Sequence, residues 1–577
     1  MHFVNKLPKI PESKHSVEPG EQFLGQNPTN IHTHGMLVSP SEPSPADKKP
    51  EYGDNIFVLT FNSANGAPDL ASSTHLHGDV RTDSTDYQIT IPAHHPSGLF
   101  WFHPHAHGIS LNQISAGLSG IITVGQVSDY LPGLPDNIGI RHLILKDIQV
   151  NDDETLNDQE NPALCDLPST APGECDSSSD GKWYFTVNGQ QNPSINVKSA
   201  GKIWRLTNAS GSATYELQLT KKNDGASPAT TGMVMQVLSI DGISVTPSKG
   251  ISNGNLKQIG GAKFKPVACP GVKSDSPAAI CASKLHMMPS SRAEIWVVNR
   301  DSKGNIINGD GSQATLQTTG YSTGSAGDKW PAVGLAQVNF NASEIIEHPP
   351  VLKIQDDKHD STGLNYTEIA KDLTTANAAV NSDSACQPLP SGWKRRIFFG
   401  YPTPINFGLG LELVDEKGQS VPDTFQDVTA FPGSGQPICL PLANGNTPVN
   451  EHWEVVNLTA EDHNFHIHQT KFRVLTAGEI TGTTTGMSSK GILQDNVPLL
   501  SGSDGCDGTI ASWKSGACQT SPVNVEISFA IAGDFVYHCH ILEHEDGGMM
   551  ATIHIASSAD SALNTAVNHQ HDIGHHH

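Results

Sequence analysis

Short stretches of alternating apolar and polar side chains recur along the chain, and none lengthens into a sustained helical period. Ala293-Glu-Ile-Trp-Val-Val298 and Val523-Asn-Val-Glu-Ile-Ser-Phe529 are typical. Alternation places every second side chain on one face of an extended strand. Many such runs, separated by Gly- and Pro-rich turns, predict an all-β chain of sandwiches. Phe185-Thr-Val-Asn-Gly-Gln190 and Ile203-Trp-Arg-Leu-Thr-Asn208 read as strands in the same way.

The pattern divides the chain into three blocks, in keeping with the usual size prior for 577 residues. The first covers residues 1–130, the second 140–345 and the third 393–557. The polar stretch 355–392 reads as a linker or irregular insertion, and 558–577 as a disordered tail. His575, His576 and His577 look like the end of a purification tag and are set aside. Two insertions stand out. Ser39–Gly53 is Pro-, Ser- and Lys-rich and reads as a surface loop; Asp504–Gln519 is Gly-rich, carries two cysteines and is placed to rim a substrate opening.

The formal net charge of −24 argues against a nucleic-acid binder, which needs a basic footprint. It favours cationic substrates. Of nine cysteines, Cys539 stands in a motif described below. The other eight fall into neighbours: Cys165 with Cys175, Cys269 with Cys281, Cys386 with Cys439, and Cys506 with Cys518. Their connectivity is open from sequence, with nearest-neighbour pairing as the working expectation. An even remainder points to an oxidising compartment, so a secreted or periplasmic location is expected. The N-terminus lacks the apolar core of a signal peptide and reads as a mature form. No apolar run reaches membrane-spanning length. The sequons at Asn208, Asn341, Asn365 and Asn457 matter only in a glycosylating host.

Four segments carry the chemistry: His32-Thr-His34-Gly, His103-Pro-His105, His463-Asn-Phe-His466-Ile-His468, and His538-Cys539-His540. Each places two imidazoles two residues apart, on one face of a strand. One such pair occurs often by chance; four, the last centred on Cys, make a constellation. His538 and His540 share a face and Cys539 takes the other, so one tripeptide can serve two metal centres. Cys539, His544 and Met549, with His463 brought from the third segment, form a trigonal set with a weak axial thioether, the blue-copper pattern. The eight remaining imidazoles suffice for a three-copper cluster. His75-Leu-His77 mimics the first segment but is surplus to this set. His107 reads as structural, and His94 and His95 as part of a turn. Met287 and Met288 read as core rather than a thioether metal site.

These four segments resemble the signature motifs of the multicopper oxidases. The resemblance spans the chain and implies three cupredoxin-like Greek-key β-sandwich domains, with a trinuclear cluster between the first and third. Carried over by motif, it implies four copper ions. The type 1 site takes His463, Cys539, His544 and Met549. The type 2 site takes His32 and His466, and the type 3 pair takes His34, His103, His105, His468, His538 and His540. Thr33 and Pro104 depart from the commonest motif forms and are more similar to bacterial members. An axial Met549 implies a type 1 site of lower potential than Leu or Phe would give. The resemblance also implies a proton relay at Glu545, within His544-Glu545-Asp546. Asp54 is the candidate for a second acidic residue, although the Ser39–Gly53 insertion interrupts that alignment.

The implied reaction is laccase-like: one-electron oxidation of phenols or aromatic amines, coupled through Cys539 to four-electron reduction of dioxygen to water. The expected partners are a small reducing substrate and O2, with no nucleic acid and no membrane span, in a monomer. Alternatives are a metallo-oxidase acting on Cu(I), Fe(II) or Mn(II), which the acidic balance favours, and a bilirubin-type oxidase. A copper-free interaction scaffold is a reading of another class, opposed by the complete ligand set. A simple blue-copper electron carrier would need only one of the sites.

Overall fold

The computed structural model describes residues 1–10, 22–44, 47–68, 78–157, 165, 167–168, 171–177, 181–222, 230–245, 263–272, 279–343, 345–355, 364–380, 383, 386–403, 406–433, 437–442, 447–475 and 492–557. The His75-Leu-His77 pair and the tail from 558 lie outside them. Most elements are strands, with a few short helices. No helix among the described residues is long and apolar enough to cross a membrane.

In the first block, strand His32–His34 pairs antiparallel with Gly98–His103, which pairs in turn with Gly120–Val124. The register sets His32 opposite His103, so the first two His segments meet side by side. Among the described residues, the middle block is one sixteen-stranded sheet running from Gly139 to Phe340. Strand Gly139–Val150 illustrates why it forms: Leu143, Leu145, Asp147 and Gln149 are buried while the residues between them are not. Strands far apart in sheet order contribute Trp204, Leu217 and Leu335 to a single core, so the sheet closes over itself.

Among the described residues, the third block is a face-to-face sandwich of a seven-stranded and a five-stranded sheet. Ile397, Phe399, Trp453 and Val455 from the first sheet pack on Phe465, Ile467, Tyr537 and Ile553 from the second. Phe465 pairs with Cys539 and His466 with His538, so the last two motifs are adjacent strands.

Stretch 355–392 is not an irregular linker throughout. It contains helices Tyr366–Asp372 and Thr374–Ala379. Tyr366, Ile369, Ala370 and Leu373 make the i, i+3, i+4, i+7 stripe of a buried helix face. They pack with Leu37, Ile243, Leu493 and Ala530, one cluster drawing on all three blocks. The polar composition around this stripe concealed it. Met287 and Met288 are buried in apolar clusters, and His94 lies in a turn, paired through its ring to Asp372 at 2.9 Å. The four disulfides join Cys165 to Cys175, Cys269 to Cys281, Cys386 to Cys439 and Cys506 to Cys518; Cys539 is free and buried.

Candidate metal centre

The sequence-predicted site residues converge in two places on either side of one strand. Strand Gly533–Cys539 ends at the Cys539 motif. On one face Cys539 Sγ lies 3.7 Å from His463 Nδ1 and 3.6 Å from His544 Nδ1, and those two nitrogens are 3.0 Å apart. All three groups are fully buried. Met549 is buried beside them, and its carbonyl accepts the Cys539 N–H at 3.0 Å. The Asn464 N–H points at the sulfur from 3.4 Å, the sort of contact that favours a thiolate.

The opposite face carries His538, whose Nε2 lies 3.3 Å from His105 Nε2 and 3.1 Å from His468 Nε2. The other imidazoles gather around it. The His32 ring stacks on His468 with centroids 3.9 Å apart, and His34 stacks on His466 at 4.0 Å. His103 and His540 face each other edge-on at 5.2 Å. Burial holds His34, His103, His105, His466, His468 and His540 well below the ordinary imidazole range, so each presents a neutral ring.

This arrangement is costly unless something accepts the ring lone pairs. His32 Nε2, His103 Nε2, His466 Nε2 and both His540 nitrogens are buried without a hydrogen-bond partner, and each such atom costs free energy. Sets such as His32, His34, His103 and His105, His468, His538 bring ligand atoms within 4.8 Å of one another. Neutral imidazoles gathered within reach of one another, beside a separate Cys/His/His set, fit copper. Where ring nitrogens do have protein partners, these orient the ring: the His103 Nδ1–H donates to Pro104 O, the His466 Nδ1–H to Asp495 O and the His538 Nδ1–H to Cys539 O.

Helix Leu542–Asp546 explains how three successive residues serve different ends. Each step turns the side chain by about 100°. His544 faces Cys539. Glu545 turns to the His cluster, with Oε2 3.1 Å from His538 Nδ1 and Oε1 3.5 Å from His105 Nδ1. Asp546 accepts the N–H groups of Gly108 and Leu111, each at 2.8 Å, and so pins the segment that follows His103-Pro-His105. Asp54 reaches the cluster as well. The Ser39–Gly53 loop closes at its neck, with Asp54 N–H donating to Ser39 O and Gly53 N–H to Ser41 O. Asp54 then accepts from Thr33 N–H at 2.7 Å and from Gln469 at 2.8 Å, and stands 3.1 Å from His32 Nδ1. Burial pushes its carboxyl up, but His32 and these donors prevail and hold it low.

Asp495 was not singled out in the sequence. It is fully buried and lies 3.5 Å from His34 Nε2, while its carbonyl holds His466. Arg292 donates to it twice, at 2.8 and 2.5 Å, and Lys471 donates once. These cations outweigh the upward push of burial and keep its carboxyl well below the usual range. No motif marks it; its only signal is an Asp inside the apolar strand context Ile492-Leu-Gln-Asp-Asn-Val497.

The outer edge of His544 is acidic. Its Nε2 is 3.5 Å from Glu461 and 3.9 Å from Glu543, and Phe407 stacks on the ring at 4.1 Å. Asp328 belongs to the same group: burial, then repulsion from Glu461, pushes it up to about 6. The Asp504–Gln519 loop lies alongside, with Gly508 N–H bonded to Leu458 O and Gly508 O to Tyr401 N–H. His107 packs edge-on against Phe431, its centroid 5.0 Å away, apart from the His cluster.

A profile of the multicopper oxidase family matches residues 426–558, the part holding the last two motifs. The chain is 21% identical over 534 residues to the laccase of Bacillus subtilis, covering 86% of this chain and 81% of that protein. A multicopper oxidase of Staphylococcus aureus is 31% identical over 109 residues, covering 18% of this chain and 20% of its own. Among solved structures, a variant of the multicopper oxidase McoA of Aquifex aeolicus matches with a TM-score of 0.51 at 15% identity, over 96% of this chain and 86% of that one. A Campylobacter jejuni multicopper oxidase, described as a metallo-oxidase, matches at 0.51 and 17%, over 92% and 80%. The shared fold is all-β, of cupredoxin-like sandwiches. Residues 426–558 thus belong to the multicopper oxidase family, and the four His motifs are brought to two adjoining centres on a fold similar to that of its members.

Proposed function

We propose that the protein is a laccase-like oxidase with four copper ions, which oxidises phenols and aromatic amines one electron at a time and passes the electrons to dioxygen. In this reading His463, Cys539, His544 and Met549 hold the type 1 ion. His32 and His466 hold the type 2 ion, and His34, His103, His105, His468, His538 and His540 hold the type 3 pair. Residues 1–130 and 393–557 supply these ligands and 140–345 none. Bound copper supplies reversible one-electron acceptance and, at the cluster, dioxygen reduction.

The single observation that carries the reading is the placing of His544. Its Nδ1 faces the Cys539 sulfur while its Nε2 edge meets Glu461 at 3.5 Å. A phenol or arylamine held at that edge gives an electron through the ring and its proton to the carboxylate. The Cys539 peptide then links the sulfur directly to His538 and His540. Glu545, between His105 and His538, is placed to hold a proton for the cluster, and Asp54 keeps His32 in orientation.

A second reading, oxidation of Cu(I), Fe(II) or Mn(II), is favoured by Glu461, Glu543 and Asp328 crowding one edge, since a cation would relieve their mutual repulsion. The four disulfides support a secreted or periplasmic setting. Oxygen uptake with a phenol, an arylamine and each reduced ion, measured side by side in wild type and Glu461→Gln, tests both. The laccase reading expects phenol and arylamine turnover that falls in the variant. Turnover with metal ions alone would replace it with the second.

A further inference from the structure

We propose that Asp383, Cys386, Cys439 and His554 form a second, redox-gated metal site for Zn(II), separate from the copper centres and closed when Cys386 and Cys439 are joined. The four groups present ligand atoms within 4.8 Å of one another. The carboxylate of Asp383 and the imidazole of His554 thus stand beside the two sulfurs of the disulfide. Sheet register accounts for part of the grouping: Cys439 on strand Ile438–Pro441 is the direct partner of His554 on Met550–Ala556. His554 is also the direct partner of Asp534 on the strand that ends in Cys539. Residues paired this way project on one face. The other two ligands are joined by a backbone bond, Cys386 N–H to Asp383 O at 3.2 Å. Their spacing of three residues is that of the two sulfurs in the Cys-x-x-Cys segments of zinc sites.

The imidazole is prepared for a metal. Asp534 Oδ1 lies 2.8 Å from His554 Nδ1, so Nδ1–H donates to the carboxylate and Nε2 keeps its lone pair. A carboxylate behind a ligating histidine is the usual way such a ring is oriented and made more basic. Two thiolates, one imidazole and one carboxylate are a tetrahedral zinc set. Cys439 and His554 are half-buried and Asp383 is exposed, which leaves a path for the ion. With Zn–S near ~2.3 Å the sulfurs would stand roughly 3.8 Å apart, well within reach of residues whose Cα atoms are 4.7 Å apart in the disulfide.

Opening the site requires two electrons. A trialkylphosphine supplies them: the S–S bond breaks, phosphorus is oxidised to the phosphine oxide by the oxygen of water, and the two protons of that water convert the sulfurs to thiols. Zinc binding then releases those two protons to solvent. Either the disulfide or the ion ties the segment before the third block to its sheet, so the tie survives a change of redox conditions.

The test uses the copper-loaded full chain, treated anaerobically with a phosphine and titrated with Co(II), the visible stand-in for Zn(II). Reduction bleaches the blue centre, so cobalt bands are seen without overlap. The proposal expects one Co(II) per reduced chain with thiolate charge-transfer and tetrahedral d–d bands, and none in the untreated chain. Zn(II) should displace it, and the C386S/C439S double variant should lack it. His554→Ala should weaken binding at least tenfold and Asp534→Asn roughly tenfold. If His554→Ala does not fold, Asp383→Asn gives the same test with a similar loss. Cobalt binding by the reduced chain no greater than by C386S/C439S, or unaltered in His554→Ala and Asp383→Asn, overturns the proposal.

Discussion

Arg292, on a strand of the middle block, grips Asp495 of the third block with both terminal guanidinium nitrogens, at 2.8 and 2.5 Å, and Asp495 stands 3.5 Å from His34 of the first. The middle block, which contributes none of the proposed ligands, thus helps to hold the His cluster. Both side chains are fully buried, and removing one partner of such a pair strands a charge. We expect Arg292→Met to cost about 3–5 kcal/mol of stability and to lower copper occupancy at His32 and His466. Urea unfolding and copper content read both. A loss below about 1 kcal/mol, in the range of exposed pairs, would mean that Lys471 alone suffices.

Glu545 touches the cluster but not the Cys539 site, which separates its effect from that of a ligand. We expect Glu545→Gln to keep the blue absorption and to slow dioxygen turnover on the order of 10²-fold, the low end for loss of a proton donor. Steady-state oxygen uptake beside the visible spectrum measures this; unchanged turnover would remove Glu545 from proton delivery.

Much of the centre was legible because its ligands sit in local pairs, where strand alternation alone decides which face each imidazole takes. The His538-Cys539-His540 split is the clearest case. What was not legible depends on distant closure. Nothing near Asp495 announces Arg292, 203 residues away. Asp54 is next to His32 only because the Ser39–Gly53 loop is pinched at its neck. The stripe Tyr366, Ile369, Ala370, Leu373 was a helical pattern too short to stand out in a polar stretch. No motif marks Asp546 either, yet it accepts N–H groups from the segment following the second motif.

The carboxyl of Glu543 is pushed up to about 8 by burial and then by Asp328. Its unfolded counterpart ionises near 4.5. Between these values the unfolded chain binds fewer protons than the folded one, so this group makes stability fall as pH rises from about 4.5 to about 8. Glu543→Gln should flatten that part of the profile. Its melting temperature should exceed that of wild type at pH 8 and match it near pH 4.5. Parallel melting curves across the range would contradict the assignment.

Two of the four sequons are closed to an oligosaccharide. Asn208 donates to Ala213 O and Met287 O, and Asn457 donates to Glu461 O and Leu499 O; both are buried. Asn341 and Asn365 are exposed. Expression in a glycosylating host should give modification at the exposed pair only, read by peptide mass spectrometry. Glycan on folded protein at Asn208 or Asn457 would contradict their packing.

The central claim is that one strand separates a Cys539 copper from a cluster that reduces dioxygen. Copper content, visible absorption and oxygen uptake of wild type and Cys539→Ser, measured together after copper loading, address it most directly. The account predicts about four coppers per wild-type chain, an intense blue band and oxygen uptake with a reducing substrate. Cys539→Ser should lose the blue band and turnover while keeping the cluster copper. A copper-loaded wild type with no blue band and no oxygen uptake would contradict it.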